Sequence, residues 1–166
     1  MAEIIAITNQ KGGVGKTTTA AALIASLSER GYKVLGVDLD PQGNLGFSLG
    51  VDIENVHTMY EVFKKQLPIN QAICTATYGD LLASNILLSG VELECNKPGR
   101  EYMLKTELSL VSARYDYIII DTPQLTPCNT QNHAIPFIII RPTQHCVRIL
   151  PRIFRFRAIF LFYPLK

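Results

Sequence analysis

Lys16 and Thr17 follow directly on Gly12-Gly13-Val14-Gly15, with Thr18 after them and Lys11 before. Residues of these types in this order suit one kind of chemistry, the holding of a polyphosphate. Glycine lets the backbone turn tightly and aim its N–H groups inward, and a helix starting at the end of such a loop adds partial positive charge. In that setting Lys16 reaches the outer phosphate oxygens as a point charge, and the Thr17 hydroxyl ligates the Mg²⁺ that bridges them. A glycine-rich stretch alone reads as a flexible loop, which leaves Lys16-Thr17 at a strand-to-helix junction unexplained. Three carboxylates complete the set of candidates. Asp38, Asp40 and Asp121 each stand at or just beyond the end of an apolar run. Asp-Pro and Gln-Gly at positions 40–43 are ordinary turn dipeptides by themselves. At the carboxyl ends of parallel strands, Asp40 and Asp121 can instead converge with Thr17 on one metal-nucleotide site.

The elements needed to position these residues are present in the pattern. Ile4 to Ile7 is a short buried-strand run, and Thr18 to Arg30 carries Ala, Leu and Ile at helical spacing with Gly31 as a stop. Val34 to Asp38 is a second strand, so the first fifty residues form a βαβ unit whose parallel strands neighbour each other or flank another. Asn44 to Gly50 is expected as a loop. His57 to Lys65 has helical spacing with Met59, Val62 and Phe63 as its apolar face, and Leu67-Pro68 breaks it. Leu81 to Ser84 gives a third strand. Glu101 to Ala113 is an amphipathic helix with Met103, Leu104, Leu108 and Val111 inward and Lys105 and Glu107 in solvent. Tyr117 to Ile120 is continuous in β-branched residues, as a central parallel strand should be, and it delivers Asp121 at its end. The fold class expected is α/β, a parallel sheet with flanking helices.

At 166 residues the chain is one domain's worth. Its net charge of +2 conceals an asymmetry: all 14 acidic residues lie at or before Asp121, while the last 43 residues hold six basic ones and five of the nine prolines. Cys74, Cys95, Cys128 and Cys146 form no C-x-x-C pair, and no signal-peptide pattern precedes the first strand, so reduced thiols in a cytoplasm are expected. No apolar run reaches the roughly 18 residues of a spanning helix.

Gln10-Lys11-Gly12-Gly13-Val14-Gly15-Lys16-Thr17-Thr18, with Gln10 in place of the usual opening glycine and Lys11 inside the loop, is the deviant Walker A form. Together with Asp38-Leu39-Asp40-Pro41-Gln42-Gly43-Asn44, Gly99-Arg100-Glu101-Tyr102 and Tyr115-Asp116-Tyr117-Ile118-Ile119-Ile120-Asp121-Thr122-Pro123, it resembles the ParA/Soj partition ATPases, cousins of the MinD proteins. The resemblance covers about residues 1–123, and Ile69 to Cys74 resembles a short helix of that family. It implies a P-loop fold with ATP and Mg²⁺ as cofactors, bound by Gly12, Gly13, Val14, Gly15, Lys16, Thr17 and Thr18. It further implies metal binding by Thr17 and Asp121 with Asp38 in the outer shell, and Asp40 as the carboxylate that positions the attacking water. Lys11 and Lys16 would act on the phosphates, Lys11 by reaching across an ATP-sandwiched homodimer. A ParB-like stimulator, non-specific DNA, chromosome or plasmid partition and a cytoplasmic or nucleoid-associated location follow from the same resemblance.

Beyond Pro123 the pattern departs. Gln124 stands where the family has a second proline, and Ile139 to Gln144 echoes a family strand about one residue out of register. The loss of acids and gain of prolines suggest two units: residues 1–123 as the ATPase part and 124–166 as a divergent basic tail, truncated or frameshifted relative to the family. Reading the coding DNA in its other frames and finding no family-like continuation would sink the frameshift. Arg148, Arg152, Arg155 and Arg157 among Ile153, Phe154, Phe156 and Phe160 also suit a membrane surface or nucleic acid. Two further readings stay open: a MinD-like membrane-cycling ATPase, disfavoured by Pro151, and a remnant that binds nucleotide weakly or not at all.

Overall fold

The computed structural model describes residues 2–9, 11–94 and 102–124, with residues 92–94 and the strand Phe156–Phe160 as backbone alone. The element order is β1 (Glu3–Thr8), α1 (Lys16–Glu29), β2 (Val34–Asp38), α2 (Asn44–Ser48), α3 (Met59–Phe63), α4 (Ile69–Ala72), β3 (Cys74–Thr75), β4 (Asp80–Leu82), α5 (Leu88–Glu94), α6 (Met103–Val111), β5 (Tyr117–Asp121) and β6 (Phe156–Phe160). Among the described residues the sheet has six strands in the order β3-β4-β2-β5-β1-β6. Every pairing is parallel except β3 with β4. The first two strands are therefore not neighbours, since β5 lies between them.

The strand sequences explain the layering. Successive side chains of a strand point to opposite faces, so Ile4 and Ala6 of β1, Leu35 and Val37 of β2, and Ile118 and Ile120 of β5 enter one core with α3, α4, α5 and α6. Ile5 and Ile7, Val34, and Ile119 enter the other with α1 and α2. A strand covered on both faces has no solvent side, which is why β5 reads as unbroken isoleucine.

Ala20, Ile24 and Leu27 of α1 recur at helical spacing and are buried against the sheet. Burying each of the larger two is worth about 1.5–3 kcal/mol. The helix ends in a Schellman arrangement: Tyr32 N–H donates to the Leu27 carbonyl at 3.2 Å, Gly31 N–H donates to Ser28 at 2.9 Å, and Gly31 takes φ +84°. Helix and sheet approach most closely at Gly36, where a Cβ would lie 2.9 Å from Ile24 Cδ1 and 3.2 Å from Leu81 Cδ1. Gly36→Ala is expected to cost about 1–3 kcal/mol through overpacking, read as a lower urea midpoint at unchanged slope. An unshifted midpoint would mean that the two layers have slack there.

Four local expectations need correction. Asn44 to Gly50 is not a loop, because Asn44–Ser48 is helical and Leu45 and Leu49, one turn apart, are both buried. Glu107 is not solvated surface: it is 5% exposed and ion-paired with Lys65, a burial that a lone carboxylate would not tolerate. The third strand has an edge partner, the antiparallel β3, too short for a period-2 signal. The helix expected from His57 is trimmed to Met59–Phe63 by Thr58, which forms a capping box with Glu61. Cys74 is half-buried, its thiol donating to the Leu81 carbonyl at 3.4 Å, and burial pushes its pKa up. Cys95, Cys128, Cys146, Gly99, Arg100, Arg148, Arg152 and Arg155 lie outside the described residues, while the backbone of Arg157 lies in β6 opposite Ile5. No helix among the described residues is long and apolar enough to cross a membrane.

Candidate nucleotide and metal site

The site forms where three strands end together. Ile7 of β1 is in register with Asp121 of β5, and Asp121 with Asp38 of β2. Asp38 and Asp121 continue the rows of Val34 and Ile119, which belong to the core beneath α1. Both carboxylates therefore leave the sheet on the side where α1 begins. The Asp121 carbonyl accepts from Leu39 N–H at 3.0 Å, and the Thr122 hydroxyl donates to the Ile7 carbonyl at 2.8 Å. These bonds tie the three strand ends into one rim.

The loop between β1 and α1 uses its glycines for two different reasons. Gly13 and Gly15 take φ +68° and +85° with nothing within 4 Å of where a Cβ would be, so their requirement is conformational. At Gly12 a Cβ would lie 2.6 Å from Gln124 Oε1, the far end of an exposed side chain, so a larger residue there would displace that amide. Gly15 is the N-cap of α1 and supplies no side-chain acceptor to the first turn, and no acidic residue stands in that turn. The N–H groups that normally seek a capping oxygen are thus left for an anionic ligand.

Lys16 is 8% exposed, Thr17 and Val14 are half-buried, and Lys11, Gly12, Gly13 and Thr18 are exposed. Lys11 N–H donates to Asn9 Oδ1 at 2.9 Å across the start of the loop. Gln10 lies outside the described residues. Asp121 is fully buried, and no well-formed hydrogen bond satisfies either carboxylate oxygen, with the Thr17 hydroxyl and the Thr122 N–H as the nearby donors. Burial pushes its pKa up to about 6; the adjacent Thr17 hydroxyl and Lys16 ammonium pull it down, while Asp40 pushes it up.

Asp38 is buried in a different way. Its two oxygens accept the backbone N–H groups of Asp40, at 2.9 Å, and Leu45, at 3.1 Å, which folds the 38–45 loop and caps α2. Burial nevertheless drives its pKa up to about 7, opposed by the Asp40 N–H and reinforced by the charge of Asp121. An outer-shell metal role for Asp38 competes with two amides for the same oxygens. Asp40 is half-buried and accepts from Gln42 N–H at 3.0 Å.

The donors fit a Mg²⁺-polyphosphate. A buried carboxylate with two unsatisfied oxygens beside a hydroxyl, a lysine and a second carboxylate offers hard oxygen ligands of the kind Mg²⁺ takes. No three acidic, histidine or cysteine side chains among the described residues close on one metal point. That suits an ion held by one or two protein oxygens with phosphates and water supplying the rest.

Fold and site together define an α/β protein of the P-loop type. A family model described as "AAA domain" matches residues 2–140, extending past Pro123 where recognisable motifs end. The chain belongs to that family and, within it, to the ParA/Soj-type ATPases with a deviant Walker A loop. It is 44% identical over 124 residues to the chromosome partitioning protein ParA of Myxococcus xanthus, covering 72% of this chain and 44% of that protein. It is 44% identical over 127 residues to the sporulation initiation inhibitor protein Soj of Bacillus subtilis, covering 74% and 50%. A solved structure of cobyrinic acid a,c-diamide synthase from Mycobacterium smegmatis, with bound ADP and magnesium, superposes with a TM-score of 0.72 at 42% identity over 75% of this chain and 52% of that one. The chain thus spans about half the length of these relatives.

Proposed function

We propose that the chain binds ATP with Mg²⁺ and hydrolyses it slowly, and that the bound triphosphate joins two copies into a dimer acting in chromosome or plasmid partition. The observation that carries the nucleotide reading is the fully buried Asp121 carboxylate, both oxygens unsatisfied, facing Thr17 and Lys16 at an α1 terminus without a side-chain cap. In this reading Lys16 holds the outer phosphates, Thr17 and Asp121 hold the metal and its waters, and Asp38 braces the loop that presents Asp40. Asp40, half-buried at the mouth, orients the attacking water and takes up its proton. The metal, when bound, neutralises charge developing on the phosphate oxygens.

Residues 1–123 form the nucleotide-handling part and 124–166 a divergent tail. The cytoplasmic location, the ParB-like stimulator and the non-specific DNA follow from the family resemblance alone, and the match covers only 44% and 50% of the ParA and Soj relatives, so they belong to this proposal too.

Lys11 serves the dimer in this reading, because a polyphosphate enclosed between two copies needs cations from both sides. Lys11→Ala is expected to keep Mg-ATP binding within about threefold while losing the ATP-dependent dimer in light scattering behind size exclusion. A variant that still dimerises with ATP, or a parent that never does, would remove the dimer from the reading.

A further inference from the structure

We propose that the Gln124 carboxamide, seated on Gly12 of the phosphate loop, contacts the terminal phosphate and lets the chain distinguish a nucleoside triphosphate from a diphosphate. The inference rests on the nucleotide-binding reading above and assigns a role to a residue that reading leaves unused.

Three observations carry it. Gln124 lies three residues beyond Asp121, on a segment anchored at its root by the Thr122 hydroxyl on the Ile7 carbonyl. That segment leaves β5 beside β1 and reaches the phosphate loop, since the point where a Gly12 Cβ would sit is 2.6 Å from Gln124 Oε1, 3.3 Å from Cδ and 3.8 Å from Nε2. A Cβ at position 12 would push this amide away, so the glycine lets the carboxamide rest on the loop, and the Gln124 side chain is exposed. The groups suited to the outermost phosphates, Lys16, Thr17, Asp40 and Asp121, cluster at the end of β5 from which the segment comes.

The chemistry of the amide fits the position. With Oε1 turned to Gly12, Nε2 is the outer atom and a two-proton donor carrying no charge. It can hydrogen-bond a phosphate oxygen without adding a cation to a loop that already has Lys11 and Lys16. A proline at this position, as the resemblance leads one to expect, has no such donor. A diphosphate lacks the outermost oxygens and would leave the amide in water at little cost.

The test uses the full chain and compares dissociation constants for Mg-ATPγS and Mg-ADP by fluorescence anisotropy, so it needs no turnover. Gln124→Ala should weaken Mg-ATPγS by roughly tenfold or more, the scale of a hydrogen bond to a charged group, and leave Mg-ADP unchanged. Gln124→Glu, of the same shape, should weaken the triphosphate further through charge repulsion. Equal weakening of both nucleotides, or no change in either, would overturn the assignment. A parent chain that binds neither nucleotide would fell the nucleotide reading itself, and this inference with it.

Discussion

Saturating Mg-ATP is expected to raise the unfolding midpoint of the parent chain by about 5–10 °C, and Lys16→Ala to abolish the rise. At about a hundred times its dissociation constant, a ligand confined to the folded state adds roughly 2.7 kcal/mol. In a chain of this length each kcal/mol moves the midpoint by about 2–4 °C. Lys16 is chosen because it is the buried cation of the site, where a charge interaction is screened least. Thr18, exposed on the first turn of α1, should matter far less. In the absence of nucleotide, Lys16→Ala removes an ammonium that opposes the raised pKa of Asp121, so the variant should fold with that carboxyl more readily protonated. An equal rise in parent and variant would place the nucleotide elsewhere. No rise in the parent would make the chain a remnant whose loop no longer binds.

The second large effect is the pH dependence of the ligand-free chain, set by its buried carboxylates. Asp38 and Asp121 have folded pKa values of about 7 and about 6 against an ordinary 3.8. The folded chain therefore binds more protons than the unfolded one through that interval. Their contribution to stability is complete below about pH 4 and is lost as pH rises through 6 and 7. The ligand-free chain should be more stable toward urea at pH 5 than at pH 7.5. Asp121→Asn, which removes one charge that burial penalises, should stabilise it at pH 7.5 by ~1–3 kcal/mol and flatten the slope. The same substitution should remove most of the stabilisation by Mg-ATP, since the neutral amide ligates Mg²⁺ poorly. Stability held back at a site is what a binding function costs. A destabilised Asp121→Asn chain at pH 7.5, or one that responds to Mg-ATP as the parent does, would show that Asp121 is structural.

Much of the site can be read along the chain because its determinants are local. Gly13 and Gly15 are spelled out by conformation, Lys16 and Thr17 by their distance from those glycines, and Ile118 to Ile120 by burial on two faces. The helices α3 and α6 follow from apolar spacing and α4 from the family resemblance, with errors of a few residues at their ends where Thr58 or the Leu67-Pro68 break decides. The loop expected at Asn44 to Gly50 is the instructive failure. Leu45 and Leu49 carried the helical spacing, but a short segment between the turn-forming Gly43 and Gly50 does not make a helix on propensity alone. The cap that makes it comes from Asp38, seven positions upstream.

The amino-acid sequence by itself determined the phosphate loop, the helix after it, the alternating faces of the strands and the family, since each depends on residues within about a dozen positions of one another. The tertiary structure alone decided that β5 enters between β1 and β2, which brings Asp121 level with Asp38 despite their wide separation along the chain. It also decided that Glu107 is paired rather than solvated, and that Gln124 closes on Gly12. These contacts join segments far apart in the chain, and their register is set by how the sheet is ordered and packed. No period or motif along the sequence encodes that order.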